Sequence, residues 1–535
     1  MSNRHALVFL WIVVLLAAGR LQAALWTGGG DNLSWSDPAN WEAAGVPEAG
    51  AAVTNAAGAI LLANATAELA SFTMTGGTLT FTNWTTCLRA TNVVLDGGIV
   101  TLPPPFTETQ MSNRVWIACT DFTLAAGAVI DADAKGYQGL NGPGKGEGYD
   151  THSSGGGHGG RGGRGSYNKK PGLVYDDMAA PLFPGSGGGV KFKTEPTAHG
   201  GGVIRIDAVG LVTVDGTITA DGLMTPKDHR DGGGSGGAIW ISSQRFGGAE
   251  TGRISARGGN GGTFGGGGGG GRIAIHYQQL SEPARMRLSA ARGDNNYDVN
   301  LIDTKEPFAC TDGTIWLSDA RLLTVPLLSG TFERGVVWVP GFTEWAQESL
   351  VVSNASLAIG NPGMAITITN DLRIESGELR VGAGDERAEL SIGGNLVLTN
   401  SGSLAVVSGT NTVDGYGACL GVAGDLLLAS GSWIRPYSHP TEGGSVRMTA
   451  RNLMIAAGGG INADNRGFHG QQGPGTGVNV WHDAGGSYGG RGELGTAGNA
   501  SKPVYGSIDA PDQPGSGGGH GGSSGAQGGG VRAAV

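Results

Sequence analysis

Short apolar stretches, each closed by a turn residue, recur along the chain in a fixed phase. Asp371-Leu-Arg-Ile-Glu-Ser-Gly377, Asn395-Leu-Val-Leu-Thr-Asn-Ser-Gly402, Asp425-Leu-Leu-Leu-Ala-Ser-Gly431 and Asn452-Leu-Met-Ile-Ala-Ala-Gly458 all open on Asp or Asn and close on Gly, and their starts lie 24, 30 and 27 residues apart. The first half carries looser relatives in Ser71-Phe-Thr-Met-Thr-Gly76, Asn92-Val-Val-Leu-Asp-Gly97, Asp121-Phe-Thr-Leu-Ala-Ala-Gly127 and Leu211-Val-Thr-Val-Asp-Gly216. Neighbouring residues on a strand face opposite sides, so Leu372 with Ile374, and Leu426 with Leu428, are predicted to point inward. Units of this length match the coils of a β-solenoid, whose short strands stack on the next coil at about 4.8 Å through parallel backbone hydrogen bonds. One coil cannot bury its apolar side alone, whereas a stack can. A β-sandwich or Greek-key array would also give short strands between turn residues. Recurrence at coil length, with the motif order kept, favours the solenoid. The predicted fold is all-β, a parallel β-helix (β-solenoid) with long glycine-rich loops.

A longer repeat lies above this one. Residues 130 to 146 match residues 461 to 477 without a gap, and Ile130, Ala132, Asp133 and Pro143 agree with Ile461, Ala463, Asp464 and Pro474 outside the glycines. Lys135 answers Arg466 and Tyr137 answers Phe468. Gly159-Gly-Arg-Gly162 returns as Gly489-Gly-Arg-Gly492, and Pro184-Gly-Ser-Gly187 as Pro514-Gly-Ser-Gly517. The expected organisation is a signal peptide at 1–23, N-terminal solenoid coils at 24–120, a first glycine-rich β module at 121–277, an irregular connecting β region at 278–350, second solenoid coils at 351–460, and the start of a second glycine-rich module at 461–535. The second copy stops at Val535, which reads as a frame cut short. The glycine stretches 136 to 202, 231 to 271 and 467 to 530 read either as flexible loops or as ordered loops on the solenoid flank. In the ordered version the anchors are Tyr137, Tyr167, Tyr175 and Phe183, with Phe468, Tyr488 and Tyr505 as counterparts.

Composition agrees with this organisation. The chain has 535 residues, 103 of them Gly, and only 15% are charged. That glycine content is hostile to helix, since each one costs about 1 kcal/mol relative to Ala in a helix interior. The net charge of −10, with neither sign in long blocks, excludes a phosphate-neutralising surface and with it nucleic acid as a partner. Arg4, the apolar run from Ala6 to Gly19, and the small Ala23 and Ala24 have the layout of a secretory signal peptide cleaved after Ala23. No later run is long and apolar enough to cross a membrane. Four cysteines, Cys87, Cys119, Cys310 and Cys419, are too few for a disulfide scaffold. Cys87 with Cys119 is the one pair that neighbouring strands suggest, and buried free thiols are the other reading.

No constellation assembles a catalytic, cofactor or metal site. Gly139-Leu-Asn-Gly-Pro-Gly-Lys-Gly146 resembles a phosphate-binding loop but ends in Gly146, where a hydroxyl residue would hold magnesium. His158 and His520 both sit in Gly-His-Gly, a context also met in sugar-cleaving β-helix enzymes, but glycoside hydrolysis needs two carboxyl groups flanking the scissile bond. Asp176 and Asp177 are adjacent and, on a strand, would face opposite sides. Asp131, Asp133 and Asp215 lack the spacing of a calcium-binding nonapeptide. Arg292-Gly-Asp294 is a short attachment tripeptide that turn chemistry explains equally well. Asn32, Asn64, Asn83, Asn354 and Asn499 lie in glycosylation sequons, which matter only in a eukaryotic secretory path.

The opening Trp26-Thr-Gly-Gly-Gly30, Trp35 and Asn40-Trp41, with Gly269-Gly-Gly-Arg-Ile-Ala-Ile275 and Gly313-Thr-Ile-Trp-Leu317 later on, resembles bacterial secreted glycine-rich β-helix proteins of the autotransporter-passenger and surface-adhesin type. The resemblance implies a secreted or cell-surface structural or adhesive protein, with extracellular polysaccharide or cell-surface components as partners. It carries over no catalytic residue. Trp26, Trp35 and Trp41 are expected to cap the apolar end of the stack. The alternative is a carbohydrate-active β-helix enzyme, a polysaccharide lyase or glycoside hydrolase, which would show a groove with clustered carboxylates and a basic residue.

Overall fold

The computed structural model describes residues 23–42, 44–107, 113–148, 152–165, 169–191, 197–226, 229–294, 310–323, 330–410, 412–413, 415–477, 484–493, 502–519 and 532–534. The protein is all-β. Its strands form a 25-stranded, a six-stranded and a five-stranded sheet, and every ladder between described strands is parallel; Trp26–Trp41, Gly165–Lys169 and Val413–Tyr416 are isolated antiparallel bridges.

The sequence repeat is one circuit through three ladders. In the second half the chain runs through Ala365–Ile368, Leu372–Glu375 and Glu378–Val381, then through Ala388–Ile392, Leu396–Thr399 and Ser403–Val407. Each strand pairs with its counterpart from the circuit before, in unshifted register: Ile366 with Leu390, Leu372 with Leu396, Leu379 with Leu404. The inward column Leu350, Leu372, Leu396 and Leu426 is buried, as is Val352, Ile374, Leu398 and Leu428. Burying one such side chain stabilises by about 1.5–3 kcal/mol relative to exposure. The first half stacks Phe72, Val93, Phe122, Val212 and Phe246 in the same way. Between 278 and 350 the ladders run on through Gln279–Ala284, Arg287–Ser289, Thr314–Leu317 and Phe332–Trp338. The last of these pairs with two strands and hands over to Ser356–Ile359.

The Asp and Asn residues that open the repeats make the corners. Asp371 Oδ1 accepts the backbone N–H of Asn395, Asn395 Oδ1 accepts that of Asp425, and Asp425 Oδ1 accepts from Asn452 Nδ2. Asp121 does the same for Leu211.

The first strand, Ala23–Leu25, pairs with Ala52–Asn55, and the tryptophans close this end. Trp26 and Trp35 both meet Trp41 edge-on, with centroids 5.1 and 4.8 Å away, and all three are buried. Buried Asn40 braces them: its Oδ1 accepts from Gly30 and Asn32, and its Nδ2 donates to Asp31 and Ser34. Hydrogen bonds from Ser34, Asn40 and Leu33 hold the Asp31 carboxyl well below the usual carboxylate range.

Two glycine-rich inserts leave the stack at equivalent points, after Val129–Asp131 and after Gly460–Ile461. The chain returns as Val203–Ala208, which pairs with Val115–Leu124, and as Arg532–Ala534, which pairs with Ser445–Thr449. Their described parts are ordered copies of each other. Ala134, Leu140 and Gly142 have positive φ, as do Asn465, Gln471 and Gly473. Ser186 Oγ bridges Tyr175 and the N–H of Gly144, and Ser516 Oγ bridges Tyr505 and the N–H of Gly475. Tyr137, Tyr175, Phe468 and Tyr505 act as anchors; Phe183 is exposed, and Tyr167 lies outside the described residues.

Around the first insert the glycine runs pack on one another with a period of three. Residues 232 and 235 donate their N–H groups to the carbonyls of 189 and 186, 233 and 236 to those of 266 and 269, and 234 and 237 to those of 223 and 220. Three residues per turn is the geometry of an extended polyproline-type helix without internal hydrogen bonds, so each run shares its peptide groups among three neighbours. Glycine is required because a Cβ on Gly233 would lie 1.9 Å from the Gly259 carbonyl oxygen, and one on Gly234 1.8 Å from that of His199.

Candidate binding groove

The structure first locates the residues singled out in the sequence. His158 is buried: Nδ1 meets the Gly236 carbonyl at 2.9 Å and Nε2 meets Asp176 Oδ2 at 3.2 Å. Asp176 also accepts the N–H groups of Leu182 and Phe183. Burial pushes its carboxyl up, but His158 and these donors overrule it and leave the carboxyl below its ordinary value. Asp176 and Asp177 lie in a turn, not on a strand: Asp176 has φ +71°, and Asp177 caps Ala179 and Ala180. His158's spatial counterpart is Tyr488. Each packs on a tyrosine, Tyr175 or Tyr505, whose N–H it receives. His520 and Asn499 lie outside the described residues.

The other candidates are engaged in holding the backbone. Within 139–146, Leu140 and Gly146 donate to the carbonyls of Gly188 and Gly187, and Gly144 donates to Ser186 Oγ. These N–H groups therefore do not point at an anion. Asp131 Oδ1 accepts from Asp133, Asp133 Oδ1 from Asp221 and Thr219, and Asp215 Oδ1 from Ala249. Among the described residues no group of three or more His, Cys, Asp or Glu side chains converges. Arg292 and Asp294 are tied through their N–H groups to Asp312 and Asn260. Asn32, Asn64, Asn83 and Asn354 are exposed.

Cys87 and Cys119 are not bridged. The register places Cys119 beside Ala90, three residues past Cys87, about 10 Å along the strand, which is too far for a disulfide. Burial pushes the Cys119 and Cys310 thiols up to about 12 and raises Cys87 as well, which leaves all three unreactive.

A groove of about 700 Å³ lies elsewhere, across the outward face of the ladder that passes through Phe332–Trp338 and Ser356–Ile359. Its floor follows the register. One column of this face is Val336, Ala358, Arg380, Ala405 and Arg435, and the column beside it contains Ser356, Glu378, Ser403 and Trp433; of these, Val336, Ser356, Ala358, Glu378, Arg380 and Arg435 line the groove. Small side chains between the large ones make the depression, and Gly360 lets the Trp338 ring lie flat, since a Cβ there would come within 2.4 Å of it. Trp338 and Tyr437 stand at opposite ends, about 19 Å apart over four rungs.

Arginines dominate the lining. Arg334 pairs with Asp312 at 2.9 Å and Arg435 with Glu378 at 3.4 Å. Arg466 donates to the Asn462 side chain and the Asp464 carbonyl. The Arg466 and Arg380 guanidiniums lie 4.8 and 5.5 Å from the Tyr437 ring centre. None of these residues was singled out as a site from the sequence. The available signal was the shared phase of Glu378-Leu-Arg-Val381 and Trp433-Ile-Arg-Pro436, and the Lys135/Arg466 match between the modules.

Compared with family models, curated proteins and solved structures, the chain matches none.

Proposed function

We propose that the three ladders are the sides of one parallel β-helix with ordered glycine-rich inserts, and that the protein is exported and serves as a structural or adhesive scaffold at or outside the cell surface. The observation that carries this reading is the unbroken succession of parallel pairings from Ala23–Leu25 to Gly460–Ile461. It passes through fifteen strands and is about 65 Å long at the usual strand spacing. Such a stack is a rigid spacer with a repeating outward face. The bacterial autotransporter-passenger and adhesin resemblance belongs to the same proposal. No helix among the described residues is long and apolar enough to cross a membrane.

Cleavage of extracellular polysaccharide is the rival activity, and the groove with its arginines and carboxylates speaks for it. Against it, Asp312 and Glu378 are each paired with an arginine, whereas a glycosidase needs two carboxyl groups free to flank the scissile bond. The test is to incubate the full chain with a panel of acidic and neutral polysaccharides and follow both retention and release of oligosaccharides. Retention without accumulating products is expected. Sustained release would replace the scaffold reading with a lyase or hydrolase.

A further inference from the structure

The groove has the opposite charge to the chain. Arg292, Arg334, Arg380, Arg435 and Arg466 face three carboxylates, Asp312, Glu378 and Asp464, in a protein of net charge −10. Among the described residues, no carboxylate lies within ion-pair distance of Arg380. Its neighbour is the Tyr437 ring, which also carries Arg466. A guanidinium stays charged at any physiological pH, and its planar fork matches carboxylate and sulfate in pairs of hydrogen bonds. The ring holds both guanidiniums over one end of the groove; Arg466 spends one amino group on Asn462 and the Asp464 carbonyl, which leaves Arg380 as the fork presented to a ligand there.

Spacing selects among anionic polymers. Arg380 and Arg435 share a column with Ala405 between them, so they stand two rungs, about 10 Å, apart. An extended peptide advances about 3.3 Å per residue and alternates its sides, so acids three residues apart would face opposite ways. A pyranose chain whose repeat is close to one rung presents alternate sugars to alternate rungs on the same side. The floor of Ser356, Ala358 and Gly360 leaves room for rings, and Trp338 supplies an apolar wall.

We propose that this groove binds an acidic polysaccharide, with the carboxylates or sulfates of alternate sugars paired to Arg380 and Arg435. The inference rests on the extracellular reading above and adds the ligand class. Calorimetric titration of the full chain would use four probes: a hyaluronan octasaccharide, chondroitin sulfate of the same length, a neutral cello-oligosaccharide and poly-glutamate. Binding of one or both acidic glycans is expected; since chondroitin sulfate carries the alternate carboxylates of hyaluronan as well as sulfates, comparable binding of both assigns recognition to the carboxylate, and binding of chondroitin sulfate alone assigns it to the sulfate. Arg380→Gln and Arg435→Gln should each weaken it about ten-fold, and the double variant should abolish it. Arg373→Gln, on another ladder and paired with Glu375, should leave it unchanged, and circular dichroism would verify that all variants are folded. Equal binding of the neutral sugar or of poly-glutamate, no binding of either acidic glycan, or unaltered binding by the folded double variant would overturn the proposal. Binding accompanied by cleavage would support this inference and remove the non-catalytic reading, so the two can fail separately.

Discussion

Asp371 Oδ1 accepts the backbone N–H of Asn395 at 2.7 Å, one full circuit further along the chain. The bond fixes the corner between two rungs and satisfies a donor that no strand partner reaches. Asp371→Ala should therefore destabilise the second half by about 1–2 kcal/mol, and Asp371→Asn, which keeps the acceptor, by less. Urea unfolding of the two variants is the measurement; equal losses would show that the carboxylate matters for its charge.

The two glycine modules offer a matched pair of substitutions. A Cβ on Gly159 would lie 2.0 Å from the Gly271 carbonyl oxygen, whereas one on its counterpart Gly489 meets nothing within 4 Å. We expect Gly159→Ala to cost about 1–3 kcal/mol through overpacking and to speed amide exchange in the surrounding runs. Gly489→Ala should have little effect. Similar behaviour of both variants in hydrogen-exchange mass spectrometry would argue against close packing of the runs.

His158 and Asp176 form a buried pair, and removing the imidazole leaves the carboxylate with only the N–H donors of its own turn, Leu182 and Phe183 among them. His158→Ala should cost about 1–3 kcal/mol, the loss of a hydrogen bond to a buried carboxylate, and loosen residues 175–183. Because folding depresses the Asp176 carboxyl, its contribution is present above the ordinary carboxylate value and lost as the pH falls through the folded value. A scaffold role for the pair means that glycan binding at Arg380 and Arg435 survives the substitution. Its loss in a folded variant would tie His158 to function.

Asp133 titrates in the opposite sense. Burial, then the neighbouring Asp221, raises its carboxyl from 3.8 to about 6. A raised carboxyl gives a contribution that is full below its unfolded value and lost as the pH rises through the folded one. Asp133→Asn should therefore be more stable than the parent above about pH 7, by about 1–3 kcal/mol, with the gap closing towards about pH 4. Amide exchange at Thr217–Thr219, measured at both ends of that range, is the check; a gap that widens on acidification would reverse the assignment.

The strand pattern was legible because its cause is local. Leu372 and Ile374 alternate with polar neighbours, and Asp371, Asn395, Asp425 and Asn452 recur because each rung needs a corner acceptor. Trp26, Trp35 and Trp41 were readable as an end cap because a stack must be closed. Register was not legible, and it decides the rest. Cys87 and Cys119 do lie near neighbouring strands, but three residues out of step. The Gly-His-Gly context shared by His158 and His520 drew attention to the wrong likeness: the match of Gly159–Gly162 with Gly489–Gly492 already sets Tyr488 opposite His158, and the shared contacts with Tyr175 and Tyr505 bear it out. The arginines of the groove come from separate circuits, and nothing in their immediate sequence states that Arg380, Arg435 and Arg466 meet around Tyr437.

The threefold packing of the glycine runs has a calorimetric consequence. Exposing apolar surface raises heat capacity and exposing polar surface lowers it. The inserts exclude water from peptide groups with few hydrocarbon side chains between them, so their melting should add little to the heat-capacity step, or even subtract from it. Hydrocarbon burial weakens on cooling, and a lattice of amides escapes that weakening. The two halves of this architecture therefore answer temperature differently, and the peptide-packed inserts should keep their strength in the cold while the leucine columns lose some of theirs.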